Sequence, residues 1–144
     1  QQARDEDCER VQSYYLTKGI KCEIRPFFNN IASHLSEAQL IISRSGASSV
    51  AEIGVVGRPS ILIPLGSAIR DEQSLNAYPL KKMRAATVIA ESNLTVERLK
   101  KAIIKILSSP KTASRMADNA QKTIKIEATK SLADNVEEIS RHKF

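Results

Sequence analysis

At 144 residues the chain is one domain's worth, long enough to bury a real core, and its 42% hydrophobic and 26% charged residues are ordinary for a globular domain. Aromatic residues make up only 4% and Trp is absent, so a stacking platform for single-stranded nucleic acid is poorly supplied and nucleic acid is not an expected partner. A net charge of +6 favours some anionic partner, but the basic residues (Lys81-Lys82, Lys100-Lys101, Lys122, Lys125, Lys130) are scattered, which reads first as a solvated surface.

Cys8 and Cys22 form no C-x-x-C pair and no disulfide framework, which points weakly to a reducing cytoplasm. No apolar stretch approaches the roughly 18 residues of a membrane-spanning helix, and no signal-peptide pattern is present. The chain opens at Gln1, without Met and amid polar residues, and is expected to be a piece of a longer protein.

In chain order, Asp5–Lys18 reads as a helix with Gly19 as its C′ residue. Ile20–Arg25 alternates Ile20, Cys22 and Ile24 and is an expected strand. Pro26-Phe27-Phe28-Asn29-Asn30 is a loop in which either Asn could cap a short helix, Ile31–Glu37. The apolar run Leu40-Ile41-Ile42 then leads into a turn of small residues, Ser45, Gly46, Ala47, Ser48 and Ser49. A helix to Val56, a Gly57-Arg58-Pro59 loop and a second apolar run, Ile61-Leu62-Ile63, complete a parallel strand–helix–strand unit. Gly66–Arg70 is a loop, Asp71-Glu72 suit a helix start, and Pro79 should kink or shorten the helix that follows. Ala86–Ala90 is a further strand, and Thr95 caps an amphipathic helix, Val96–Leu107, which Ser108-Ser109-Pro110 ends. Helices at about Thr112–Lys125 and Ala128–Ser140 finish the chain. This alternation predicts an α/β fold with an open parallel sheet, which binds ligands at the carboxyl ends of its strands.

The turn Ser45–Ser49 is the best candidate site. Small residues let a ligand approach the backbone, and the first-turn N–H groups of a helix lack internal partners, so the turn suits an anion, most often phosphate. Glu52 has two readings. In Ser49-Val50-Ala51-Glu52 it closes a capping box, or it reaches the two hydroxyls of a ribose, which a carboxylate's paired oxygens can accept together. Gln73 and Asn76 share a helix face and suit sugar hydroxyls, or are surface amides. Phe27-Phe28 reads as core before it reads as a base-stacking site. His34 and His142 have no catalytic partner at a recognisable spacing, and no metal cluster, P-loop or G-x-G-x-x-G pattern occurs, so no metal or other cofactor is expected.

Three stretches resemble one family. ISRSGASSVAEIGVVGRPSILIPL, DEQSLNA (Asp71–Ala77) and Pro26-Phe27-Phe28-Asn29-Asn30 ahead of a short helix are similar to the C-terminal domain of the MurG family of bacterial glycosyltransferases. The resemblance runs from Gln1 to the final helix. It implies a Rossmann-like C-terminal half of a GT-B enzyme, incomplete at its N-terminus. The single nucleotide-sugar-binding domain over residues 1–144 would lack its glycine-rich first turn and its N-terminal acceptor domain. The family transfers GlcNAc from UDP-GlcNAc to lipid I with inversion, making lipid II in peptidoglycan synthesis. Carried over, the backbone of Phe28 would recognise uracil. Ser45, Gly46, Ala47, Ser48 and Ser49 would line the diphosphate, Glu52 would hold the ribose, and Glu72, Gln73 and Asn76 would face the phosphate and GlcNAc.

No catalytic residue is expected in this piece, because the family assigns its base to the other domain. The parent would be a hexosyltransferase peripheral to the cytoplasmic face of the bacterial inner membrane, touching an anionic surface there, with lipid I held by the other domain. Alternatives are another UDP-sugar transferase, a UDP-GlcNAc epimerase, or a non-catalytic module acting with a partner subunit. Two positions depart from the family pattern. Gly66-Ser67 stands where Pro-His is frequent, and Glu72 where Gln or His is, and a carboxylate there repels a diphosphate unless it faces sugar hydroxyls or solvent.

Overall fold

The computed structural model describes residues 1–66, 71–123 and 138, and the chain forms two compact units, Gln1–His34 and Leu35–Phe144. In the first unit, α1 (Asp5–Thr17) opens on Asp5, Glu6 and Asp7, whose charges suit a helix N-terminus. Gly19 ends it as expected, with φ at +65°. Its N–H donates to the Leu16 carbonyl at 2.9 Å, and the Ile20 N–H donates to the Tyr15 carbonyl at 3.0 Å, the paired bonds of a Schellman motif.

The expected strand Ile20–Arg25 does not form. Arg25 makes one parallel bridge to Gln2, and residues 20–24 join no ladder. Alternation shows that a segment could lie in a sheet, but a strand exists only against a partner and a core. Here the partner supplies one bridge, and no residue of Gln1–His34 is buried. The helix α2 (Ile31–Glu37) has the expected bounds.

The second unit holds β1 (Ile41–Ser43), α3 (Ala47–Val56), β2 (Ser60–Leu62), α4 (Glu72–Lys82), β3 (Ala86–Val88), a 3₁₀ turn at Glu91–Asn93, α5 (Val96–Leu107) and α6 (Pro110–Thr123). The strands form an open parallel sheet in the order β1-β2-β3, with Ile41 opposite Ser60 and Ser60 opposite Ala86. That is the architecture the alternation predicts. Every residue of β2 is buried, as befits a central parallel strand covered on both faces.

One core lies under α3 and α4 and joins Ile41, Val50, Ile53, Leu62, Leu80 and Ala86. The other lies under α5 and joins Ile61, Ile63, Ile89 and Ile106 with Met116 of α6. Neighbours Ile61 and Leu62 point to opposite cores, as the two-residue period of a strand requires.

Local signals account for most helix ends. Gly57, with φ at +68°, closes α3, and an added Cβ there would lie 2.3 Å from the Gln121 side chain. Thr95 caps α5 by accepting the Arg98 N–H on its hydroxyl at 3.2 Å. Pro110, expected only to end α5, instead opens α6, where its missing N–H costs nothing, and the Ser109 hydroxyl accepts the Thr112 N–H at 3.3 Å. Pro79 sits inside α4, which continues through it to Lys82. The helix expected at Ala128–Ser140 falls, apart from Glu138, outside the described residues, and so do residues 67–70 of the loop before α4. Among the described residues no helix is long and apolar enough to cross a membrane.

Candidate functional site

The carboxyl ends of β1 and β2 lead into turns that are held by side chains. After β1, Gly46 is the N-cap of α3 in an extended conformation, and the first backbone bond of the helix runs from the Val50 N–H to the Gly46 carbonyl at 3.0 Å. The N–H groups of Ala47, Ser48 and Ser49 therefore have no helical acceptor, and Ala47 and Ser48 are exposed. A Cβ added at Gly46 would meet nothing within 4 Å, so the space over this end is open. Val50, Ile53 and Gly54 bury the other side of α3 and hold that end in place. Free amides and the positive end of the helix dipole meet where an anion can reach them.

Ser45 joins this end to a second one. It is fully buried, and its hydroxyl donates to the Gln73 carbonyl at 2.8 Å. The Asn76 amide nitrogen donates to the Ser45 carbonyl at 3.2 Å, and the Gln73 side-chain oxygen accepts the Leu65 N–H at 3.0 Å. Gln73 lies in the first turn of α4, so the residue before the N-cap of α3 is bonded to the start of α4. Gln73 and Asn76 are thus half-buried ties between turns, not free surface amides. Each keeps one polar side-chain atom, Gln73 Nε2 and Asn76 Oδ1, without a partner among the described residues.

The capping-box reading of Ser49 and Glu52 does not hold. The N-cap is Gly46, which puts Ser49 inside the first turn, where it cannot cap, and α3 has no side-chain cap bond. Glu52 is exposed, and its carboxylate makes no hydrogen bond or ion pair among the described residues. Glu72 is likewise exposed, in the first turn of α4. Phe28 belongs to the first unit, where its ring packs edge-on against His34 with centroids 4.9 Å apart. Phe27, expected as core, is 68% exposed, since that unit buries no residue for it to join.

Sequence reasoning missed an ion pair that joins two distant turns. Arg44, in the turn after β1, donates from Nη2 to Glu91 Oε1 at 2.6 Å, and Glu91 Oε2 accepts the Gly66 N–H at 2.8 Å. The Gly66 N–H first, and the Arg44 guanidinium second, hold the Glu91 carboxyl below the usual glutamate range. Arg44 and Glu91 lie 47 residues apart, so no local pattern announces the pair.

The model of the glycosyltransferase family 28 C-terminal domain matches residues 1–136. The chain belongs to this family. Among curated relatives, a protein of Caulobacter vibrioides (strain NA1000 / CB15N) is 42% identical over 141 residues, covering 98% of this chain and 39% of the relative. One of Rhizobium meliloti (strain 1021) is 43% identical over 140 residues, covering 97% of this chain and 37% of the relative. Both are named UDP-N-acetylglucosamine–N-acetylmuramyl-(pentapeptide) pyrophosphoryl-undecaprenol N-acetylglucosamine transferase. The crystal structure of Acinetobacter baumannii MurG is similar with a TM-score of 0.85 at 29% identity, covering 95% of this chain and 42% of that one. The chain thus spans about two fifths of the length of the curated relatives it matches. Its fold is that of the C-terminal half of a GT-B glycosyltransferase, as the resemblance implied.

The family 28 domain also has a cavity of about 610 Å³ beside β3, lined by Pro64, Leu75, Tyr78, Lys81, Val88 and Arg98 among others. None of the expected donor contacts lines it. What sets the turn before α3 apart is its open amides and not an enclosed volume, which makes it a candidate for an anion.

Proposed function

We propose that this family 28 domain is the donor-binding part of an inverting glycosyltransferase. The enzyme moves GlcNAc from UDP-GlcNAc to lipid I and makes lipid II in peptidoglycan synthesis. The observation that carries the reading is the bonded pair of helix starts. The free amides of Ala47, Ser48 and Ser49 open α3, and Ser45 ties that end to the first turn of α4. Two positive helix ends side by side suit a diphosphate better than a single phosphate.

In this reading Ser45, Gly46, Ala47, Ser48 and Ser49 form the diphosphate turn, and the carboxylate of Glu52 accepts both ribose hydroxyls. The spare polar atoms of Gln73 and Asn76 take GlcNAc hydroxyls, and the exposed Glu72 faces sugar or solvent. An acceptor hydroxyl attacks the anomeric carbon as its bond to UDP breaks. The electron pair leaves on the diphosphate, where fixed amides stabilise the growing charge. The proton goes to a base outside this domain, in the half that also holds lipid I. The whole enzyme works peripherally at the cytoplasmic face of the inner membrane, beside an anionic surface.

The test is calorimetric titration of the protein as its gene encodes it with UDP-GlcNAc, UDP-GalNAc and ADP-glucose, wild type beside Glu52→Ala. Selective binding of UDP-GlcNAc, weakened at least about tenfold in the variant, is the expected result. Equal binding by both proteins would remove Glu52 from the ribose. Absence of uridine-nucleotide binding would overturn the donor reading.

A further inference from the structure

We propose that Glu91 and Arg44 are positioning residues of the donor site, which hold the turn opening α3 in place by clasping the turns that follow all three strands. The inference rests on the donor reading above and gives a role to two side chains outside the diphosphate turn. The sheet cannot do this work alone. Its ladder ends near the strand ends, with the Ile63 N–H donating to the Ser43 carbonyl at 2.9 Å and the Ile89 N–H to the Leu62 carbonyl at 2.9 Å. Beyond those bonds, no backbone hydrogen bond joins the three turns to one another among the described residues.

One carboxylate supplies the connection. From the turn after β3, Glu91 takes the Gly66 N–H of the turn after β2 on one oxygen, and the Arg44 guanidinium of the turn after β1 on the other. Arg44 Nη1 also lies 3.4 Å from the Ile63 carbonyl and 3.5 Å from the Pro64 carbonyl, at the end of β2. Arg44 immediately precedes Ser45, whose hydroxyl holds the start of α4. A continuous line of contacts therefore runs from Glu91 to both helix ends of the anion site.

Pairing also matters for charge. An unpaired Arg44 beside the turn would compete for the diphosphate in its own geometry, and an unpaired Glu91 would repel it. Joined, they act as a strut of no net charge. The two side chains are 48% and 36% exposed, and an ion pair so open to water adds little to stability. Its effect is expected in ligand affinity, with melting temperature almost unchanged.

The experiment titrates UDP calorimetrically into the protein as its gene encodes it, for wild type, Glu91→Ala, Glu91→Gln, Arg44→Gln and the Arg44→Gln/Glu91→Gln double variant, with thermal melting alongside. Glu91→Ala should bind UDP about tenfold more weakly with little change in melting. Glu91→Gln, which keeps an acceptor for the Gly66 N–H but leaves the Arg44 charge unpaired, should recover part of that loss. The double variant should lose no more than Arg44→Gln alone, because the two residues act as one unit. Should Glu91→Ala fail to fold, Glu91→Gln and the double variant carry the same test. UDP binding in Glu91→Ala equal to wild type, or tighter because a freed Arg44 meets the diphosphate, would overturn the proposal. Additive losses in the double variant, or no recovery in Glu91→Gln, would overturn it too. Wild type that binds no UDP removes the donor reading and this inference together, whereas wild type that binds alongside unaffected variants removes this inference alone.

Discussion

At the carboxyl end of the sheet, side chains reach between turns and pair the polar groups they meet, whereas at the amino end two buried polar atoms are left alone. Ser45 and Ser60 make the contrast concrete, since both are fully buried. The hydroxyl of Ser45 bonds to Gln73, and around it Asn76, Gln73, Arg44 and Glu91 reach between elements. The hydroxyl of Ser60, at the start of β2, has no partner among the described residues, and neither has Arg58 Nε two residues before it. Apolar packing fixes volume, while hydrogen bonds fix the placement and direction of individual atoms. The amino end has the first from Leu80, Ala85 and Ala86, and one side-chain bond, from the Arg58 guanidinium to the Ser36 carbonyl. The carboxyl end has the fuller set of side-chain bonds, and that is where a ligand would demand placed amides.

The largest expected effect comes from breaking the better-built end. Ser45→Ala should lower unfolding free energy in urea by about 1–2 kcal/mol, through the lost hydrogen bond and the Gln73 carbonyl left behind, and should weaken UDP binding as well. A loss of stability with UDP affinity intact would separate the two ends of that argument. A smaller, local effect is expected from acid. Because the Glu91 carboxyl sits below the usual glutamate range, its bond to Gly66 is complete at neutral pH. What it contributes persists above the ordinary glutamate value and is lost as pH falls through the lower folded value. The Gly66 amide resonance, followed by NMR from neutral pH downward, should therefore move only below the ordinary glutamate range. Movement at or above that range would contradict the clasp. The smallest effect belongs to the other end. Ser60→Ala removes a buried, unbonded hydroxyl and should leave stability unchanged or raise it by up to about 1 kcal/mol. A clear loss in urea would show that Ser60 has a partner after all and would erase the contrast.

What the sequence disclosed follows the same division. Features set by a few neighbouring residues were legible: the Gly19 helix end, the Thr95 cap, the bounds of α2, and the small-residue turn between β1 and α3. Features that need a distant partner were not. The alternation of Ile20, Cys22 and Ile24 suggested a strand that finds only one bridge. The Ser49–Glu52 spacing suggested a capping box, yet the helix begins earlier, at Gly46, and leaves both residues inside it. Gln73 and Asn76 share one face of a helix, as their spacing predicts, but their bonds to Leu65 and Ser45 depend on how α4 docks. Pro110 read as a stop because a proline ends one helix and begins another by the same missing N–H.

The distance between Arg44 and Glu91 along the chain has a consequence for the order in which the molecule acquires its parts. Contacts between residues close in sequence form early, while those that close long loops wait for the intervening elements. The turn before α3 and the first turn of that helix are local and can form as soon as β1 and β2 pair. The clasp closes 47 residues of chain and requires β2, α4 and β3 to be in place first. During synthesis, a ribosome that has not yet released Glu91 therefore presents the small-residue turn without its strut. The nascent chain would hold the right residues in an unfinished arrangement until the third strand has docked.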